Sequence, residues 1–140
     1  MNRAEQAVEY KHNGNNCCQA VLMAYADVLQ VPVEVLRQAG AAFGTGMGCM
    51  EATCGALCGA QMVLGMVKYQ GKPVLSDARE VYRIFAEKCG ATLCCELKGL
   101  KTGKMICSCD DCVRHGVEAV EAYVKDEGKG NFAYGTDVIV

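Results

Sequence analysis

The sequence predicts an all-α protein: a single-domain, compact bundle of about five to six helices, with a glycine-rich loop ahead of the central helix. Three observations lead there. Apolar residues recur at helical spacing, as in Ala20, Val21, Ala24, Val28 and Leu29, and again in Val113, Val117, Val120 and Val124. The periodic stretches are separated by helix stops and N-cap residues rather than by hairpin turns. Nowhere does a run of alternating polar and apolar residues reach strand length.

Taken in order, residues 4–11 have helical composition and run into His12-Asn13-Gly14-Asn15-Asn16, a strong stop. Asn15 or Asn16 then caps a second helix, expected over residues 17–31. Pro32 suits the start of a third, residues 33–42, with Val35, Leu36 and Ala39 inward. Gly40, Gly44, Gly46 and Gly48 are too many glycines for regular helix, so a loop is expected there. It feeds a buried central helix that reaches Tyr69 and carries Cys54 in its first turn. Gly55 and Gly59 lie one turn apart on it and leave a groove for a second backbone. Ser76 or Asp77 is expected to cap the next helix, which ends at Cys89-Gly90. Residues 92–100 form a short helix or turn with Cys94 and Cys95, and residues 98–104 a polar loop. Ser108 or Asp110 caps the last long helix, which stops at Gly128. The tail beyond about residue 128 reads as loop, with a short apolar end, Val138-Ile139-Val140, that can dock on the body or on a partner.

At 140 residues the chain suits one domain with one core, residues 1–140. A net charge of −2 without a Lys/Arg cluster gives no electrostatic case for nucleic acid or an anionic membrane. The longest apolar run, residues 60–67, is too short to span a bilayer. The polar N-terminus carries no apolar signal core, so a cytoplasmic protein is expected. Hydrophobic residues make up 51% of the chain, an excess that fits a buried homodimer interface.

Eleven cysteines are the dominant chemical feature. The count is odd, so complete internal pairing is impossible, and reducing cytosol disfavours a structural disulfide framework. Thiol redox chemistry, a metal ion or an iron–sulfur cluster remain. Cys17, Cys54 and Cys112 each fall in the first turn of an expected helix, where free N–H groups and the helix dipole stabilise thiolate. Cys94 sits near a shorter helix. Cys109-x-x-Cys112 is the best local redox or metal spacing, and Cys107 extends it to CxCxxC. Asp110 and Asp111 between them should raise the thiol pKa values there. His12 and His115 read as surface residues, and Gly44-Thr45-Gly46-Met47-Gly48 lacks the Lys-Ser/Thr of a phosphate loop.

Cys54-Gly55-Ala56-x-x-Gly59, with Asn16-Cys17-Cys18-Gln19-Ala20-Val21 upstream and Cys94 and Cys112 downstream, resembles the small redox-active proteins known by the pattern C…GCAxxG…C…C. The redox role of that family is itself inferred from its cysteines. The resemblance implies that Cys17, Cys54, Cys94 and Cys112 are the functional four, with Cys18 and Cys95 as extra neighbours. The expected function is thiol–disulfide exchange or electron transfer with a redox partner protein. Cys54 is the expected reactive thiolate, with a depressed pKa, and the others resolving partners. The alternative is a metal or iron–sulfur protein that stores, delivers or senses the metal, with Cys17, Cys54, Cys94, Cys112 and Cys109 as ligands. Either reading requires at least three of the four sulfurs to line one cavity beside the loop over residues 44–48. A third reading, of buried and inert thiols, requires no such meeting.

Overall fold

The computed structural model describes residues 1–126, and these form an all-α fold in which the only β pairing among them is an isolated bridge between Thr53 and Leu93. The expected stop at Gly128 and the loop-like tail lie outside the described residues.

Helix α1, Arg3–His12, begins at Asn2, whose side chain accepts from the Glu5 N–H at 2.8 Å. It ends at Asn13-Gly14, where Gly14 takes φ +91°. Helix α2, Cys17–Ala24, opens with a full capping box: Asn16 Oδ1 accepts from the Gln19 N–H, and Gln19 Oε1 accepts from the Asn16 N–H, both at 2.8 Å. The Asn16 amide nitrogen also donates to the Gly40 and Ala41 carbonyls, so one side chain starts α2 and ends α4.

The second helix was expected to run unbroken to residue 31, and it does not. It breaks at Tyr25, and a short α3, Ala26–Leu29, follows. The cause is tertiary. Tyr25 is fully buried and its hydroxyl donates to the Val117 carbonyl at 2.9 Å. The Arg3 guanidinium stacks on the Tyr25 ring and donates to the Ala24 carbonyl, taking an acceptor the helix would otherwise use. Pro32 precedes α4, Val33–Gly40, which stops two residues short of the expected end.

The glycine-rich segment is a tight turn of left-handed residues, in which Thr45, Gly46, Met47, Gly48 and Met50 all have positive φ. For Thr45 and the two methionines that conformation is strained. Helix α5, Gly55–Lys68, is the central element, with Ala56, Leu57, Ala60, Val63 and Leu64 almost fully buried. It packs on α2, on α6 (Leu75–Cys89) and on α8 (Cys109–Asp126). The expected cap of α6 by Ser76 or Asp77 is not what forms: the N-cap is Val74. Asp77 instead accepts from the Tyr123 hydroxyl and pairs with Lys68 at 3.7 Å. A short α7, Cys94–Lys98, precedes the loop into α8, whose cap is Ser108: its Oγ accepts from the Asp111 N–H at 3.1 Å. No helix among the described residues is long and apolar enough to cross a membrane.

Candidate functional site

Four chain segments deliver cysteines to one end of the bundle. Cys17 is the first residue of α2, Cys94 of α7 and Cys109 of α8, while Cys54 is the N-cap of α5. The backbone fixes two of these directly. The Cys54 N–H donates to the Thr92 carbonyl at 2.8 Å, and the Cys94 N–H donates to the Ala52 carbonyl at 3.0 Å. This reciprocal pair clasps the segments before α5 and α7 together. Gly55 lets α5 start against the preceding loop, since a Cβ there would meet the Phe43 carbonyl oxygen at 2.9 Å. Gly46 abuts Cys94 in the same way, at 2.7 Å from its Cβ.

The sulfurs form two layers. In the outer layer Cys17 and Cys109, both half-buried, are neighbours that act on each other's ionisation, and Lys98 lies near enough to Cys109 to favour its thiolate. In the inner layer the buried Cys54 and Cys112 act on each other's ionisation, and Cys112 does the same with Cys89. Cys89, Cys107 and Cys112 bring their sulfurs within 4.8 Å of one another, a group that could hold a metal ion. Lys98 acts electrostatically on Cys17, Cys54, Cys94, Cys109 and Cys112, so the four cysteines singled out in the sequence share one charged neighbour.

Charge sorts the thiols differently from the sequence expectation. Cys54 was expected to be the acidic thiol; its pKa is instead pushed well up, first by its contact with the Cys112 sulfur and then by burial. The Ala56 and Leu57 N–H groups do favour its thiolate, as anticipated for a helix start, but they are outweighed. Cys109 is the acidic thiol, lowered to about 5, first by the hydrogen bond from Cys17 and then by Lys98, against the cost of burial. Cys17 is raised in turn, first by Cys109 and then by burial, so the two thiols titrate as a pair. Burial pushes Cys18 up to about 12 and raises Cys94, where Lys98 opposes it. At Cys112 the Cys54 contact favours thiolate, but the Cys89 contact and burial together leave its pKa raised.

Asp110 and Asp111 do not oppose the Cys109 thiolate as expected, because both are otherwise engaged. Asp110 faces His12 at 2.8 Å and Lys11 at 3.4 Å, and Asp111 faces Arg114 at 2.8 Å. His115 pairs with Glu118 at 2.9 Å. Sequence reasoning missed Lys98, which it placed in a polar loop. Its signal was available: Lys98 stands four residues after Cys94, one turn along the same helix face. Cys89 was also missed as a partner of Cys107 and Cys112, whose CxCxxC spacing was legible, because nothing local joins residue 89 to residue 107.

An all-helical fold with a thiol cluster beside a lysine fits a cysteine-based redox or metal-binding protein. A family model described as "Putative redox-active protein (C_GCAxxG_C_C)" matches residues 15–123, and the chain belongs to that family. Neither a curated protein nor a solved structure matches it.

Proposed function

We propose that this protein carries out thiol–disulfide exchange with Cys109 as the attacking thiolate and Cys17 as the resolving thiol. One arrangement carries the reading: Cys17 and Cys109, each the first residue of a helix and each half-buried, act on one another, and Lys98 favours the charged form of Cys109. The Cys109 thiolate attacks one sulfur of a disulfide R–S–S–R′ on a small molecule or partner protein, forming Cys109–S–S–R and releasing R′S⁻. Cys17 gives its proton to R′S⁻, and its sulfur then attacks the Cys109 sulfur and expels RS⁻. The protein is oxidised by two electrons to a Cys17–Cys109 disulfide, and the substrate is reduced to R′SH and RS⁻. Cys54, Cys94 and Cys112 stand behind this pair as further thiols in contact with it or with Lys98.

The competing reading places a metal ion or iron–sulfur cluster among Cys17, Cys54, Cys94, Cys109 and Cys112. Lys98 argues for exchange instead, because its ammonium already supplies positive charge that acts on that group.

Mild oxidation of the reduced protein with oxidised glutathione, followed by peptide mass mapping, tests the proposal. The expected product is a Cys17–Cys109 linkage, and Cys17→Ser should accumulate glutathione on Cys109. A first disulfide formed elsewhere, with Cys109 left free, would falsify it. A homodimer is proposed alongside, on the exposed side chains of Leu75, Tyr82 and Tyr69. Sedimentation at micromolar concentration should show two chains per particle, and a monomer rejects the idea.

A further inference from the structure

We infer that Cys89, Cys107 and Cys112 form a second, separate site: a buried three-thiolate seat for a soft, thiophilic metal ion such as Zn²⁺ or Cu⁺. The three come from different elements. Cys89 is the last residue of α6, Cys107 lies in the loop before α8, and Cys112 is in the first turn of α8. Their sulfurs lie within 4.8 Å of one another. Around an ion with metal–sulfur bonds of about 2.3 Å, tetrahedral geometry sets sulfurs about 3.8 Å apart. Loading the ion thus needs the triad to contract by no more than about 1 Å.

The backbone holds the triad in place from both sides. Gly90, with φ +92°, turns the chain directly after Cys89, and a Cβ there would meet Ile106 at 3.0 Å. The Ile106 and Cys107 N–H groups both donate to the Leu97 carbonyl, at 2.9 and 3.3 Å. The Cys112 N–H donates to the Ser108 carbonyl at 2.8 Å. The seat therefore exists in the folded chain and need not be assembled by the ion.

Its chemistry selects the class of ion. All three donors are sulfur, and the group contains no carboxylate or imidazole, which favours soft ions over Mg²⁺ or Ca²⁺. All three residues are buried, so water is a poor competitor for the ion. Binding displaces the thiol protons. With Zn²⁺ and three thiolates the site carries a single net negative charge, and Lys98, already acting on Cys112, offsets it. Zinc prefers a fourth ligand, and Cys54, whose thiol acts on Cys112, is the candidate for that place. Cu⁺ accepts three thiolates alone. This site differs from the outer pair in both residues and exposure, so it stands or falls independently of disulfide exchange.

The test uses the full chain, reduced and metal-free under anaerobic conditions, titrated with Zn²⁺ alone and with Cu⁺ alone against a chromophoric chelator. The expected result is a single ion retained per chain for at least one metal, with a sulfur-to-metal charge-transfer band. The variant Cys89→Ala with Cys107→Ala should lose affinity by roughly tenfold or more, while Cys17→Ser with Cys109→Ser keeps it. Because the first variant alters the core, the wild-type protein supplies a second measurement. Metal should protect Cys89, Cys107 and Cys112 from a brief alkylation pulse in moderate denaturant, as read by peptide mass. Retention of neither ion, or protection confined to other cysteines, overturns the inference.

Discussion

Lys98 sits one helical turn beyond Cys94, and both it and Cys17 favour the charged form of Cys109. Their combined effect explains why a thiol followed in sequence by two aspartates is the acidic one. In a variant retaining only Cys17 and Cys109, the alkylation rate of Cys109 should have its midpoint near the value of about 5 set by these contacts. Lys98→Met should raise that midpoint by about one unit or more, the usual effect of losing an adjacent opposite charge. An unchanged midpoint would remove Lys98 from the mechanism. The same residues set a stability profile. The folded Cys109 binds its proton less tightly than the unfolded chain does, so stability rises with pH from about 5 towards the ordinary thiol range. Cys17, Cys54 and Cys112 are raised, so the unfolded chain loses their protons first and stability falls above that range. Urea midpoints of the reduced, metal-free protein should therefore pass through a maximum near neutral to mildly alkaline pH.

At the scale of elements, α5 owes its central position to residues without side chains. A Cβ at Gly59 would meet the Cys18 carbonyl oxygen at 2.9 Å, and one at Gly116 of α8 would meet the Ala56 carbonyl oxygen at 2.9 Å. Both obstacles are backbone, which cannot rotate away. Gly116→Ala should cost about 1–3 kcal/mol through separation of α5 and α8, although alanine is the better helix former. Thermal or urea unfolding measures it, and a stabilised variant would contradict the packing. Tyr25→Phe should cost about 1 kcal/mol by deleting the hydroxyl bond to Val117. These two sites also mark how far the sequence could be read. The groove at Gly55 and Gly59 was legible, since one-turn spacing of glycine on an apolar helix needs only local geometry. So were the caps at Asn16 and Ser108. The break at Tyr25 was not, because it depends on Arg3 and Val117, remote in sequence. The start of α6 was misplaced for a like reason: Asp77, a good local cap, is drawn to Lys68 and Tyr123.

Across the whole molecule, the four cysteines named from sequence all fall within the electrostatic reach of Lys98. That grouping was legible because helix-start placement repeated along the chain. The ranking of the thiols was not, because it depends on which sulfur each one faces. Burial keeps Cys54, Cys94 and Cys112 from outside reagents, at 3%, 4% and 0% exposure. Alkylation of the native reduced protein should therefore label Cys109 and the exposed Cys49 well before these three. Early labelling of Cys54 would contradict the layered arrangement.

The clasp between Thr53 and Leu93 bears on the life of the chain before it is folded. Closing it brings together residues far apart in sequence, and the Cys17–Cys109 contact closes a longer loop still. Contacts of such separation are entropically late, forming after local helices and their first packing. Until α8 docks, Cys109 has neither Cys17 nor Lys98 beside it and titrates as an ordinary cysteine. A ribosome-bound chain that has not yet released residue 109 cannot display the acidic thiol at all. Reactivity is thus deferred to the completed fold, and the nascent chain carries its many cysteines through synthesis without an activated one among them.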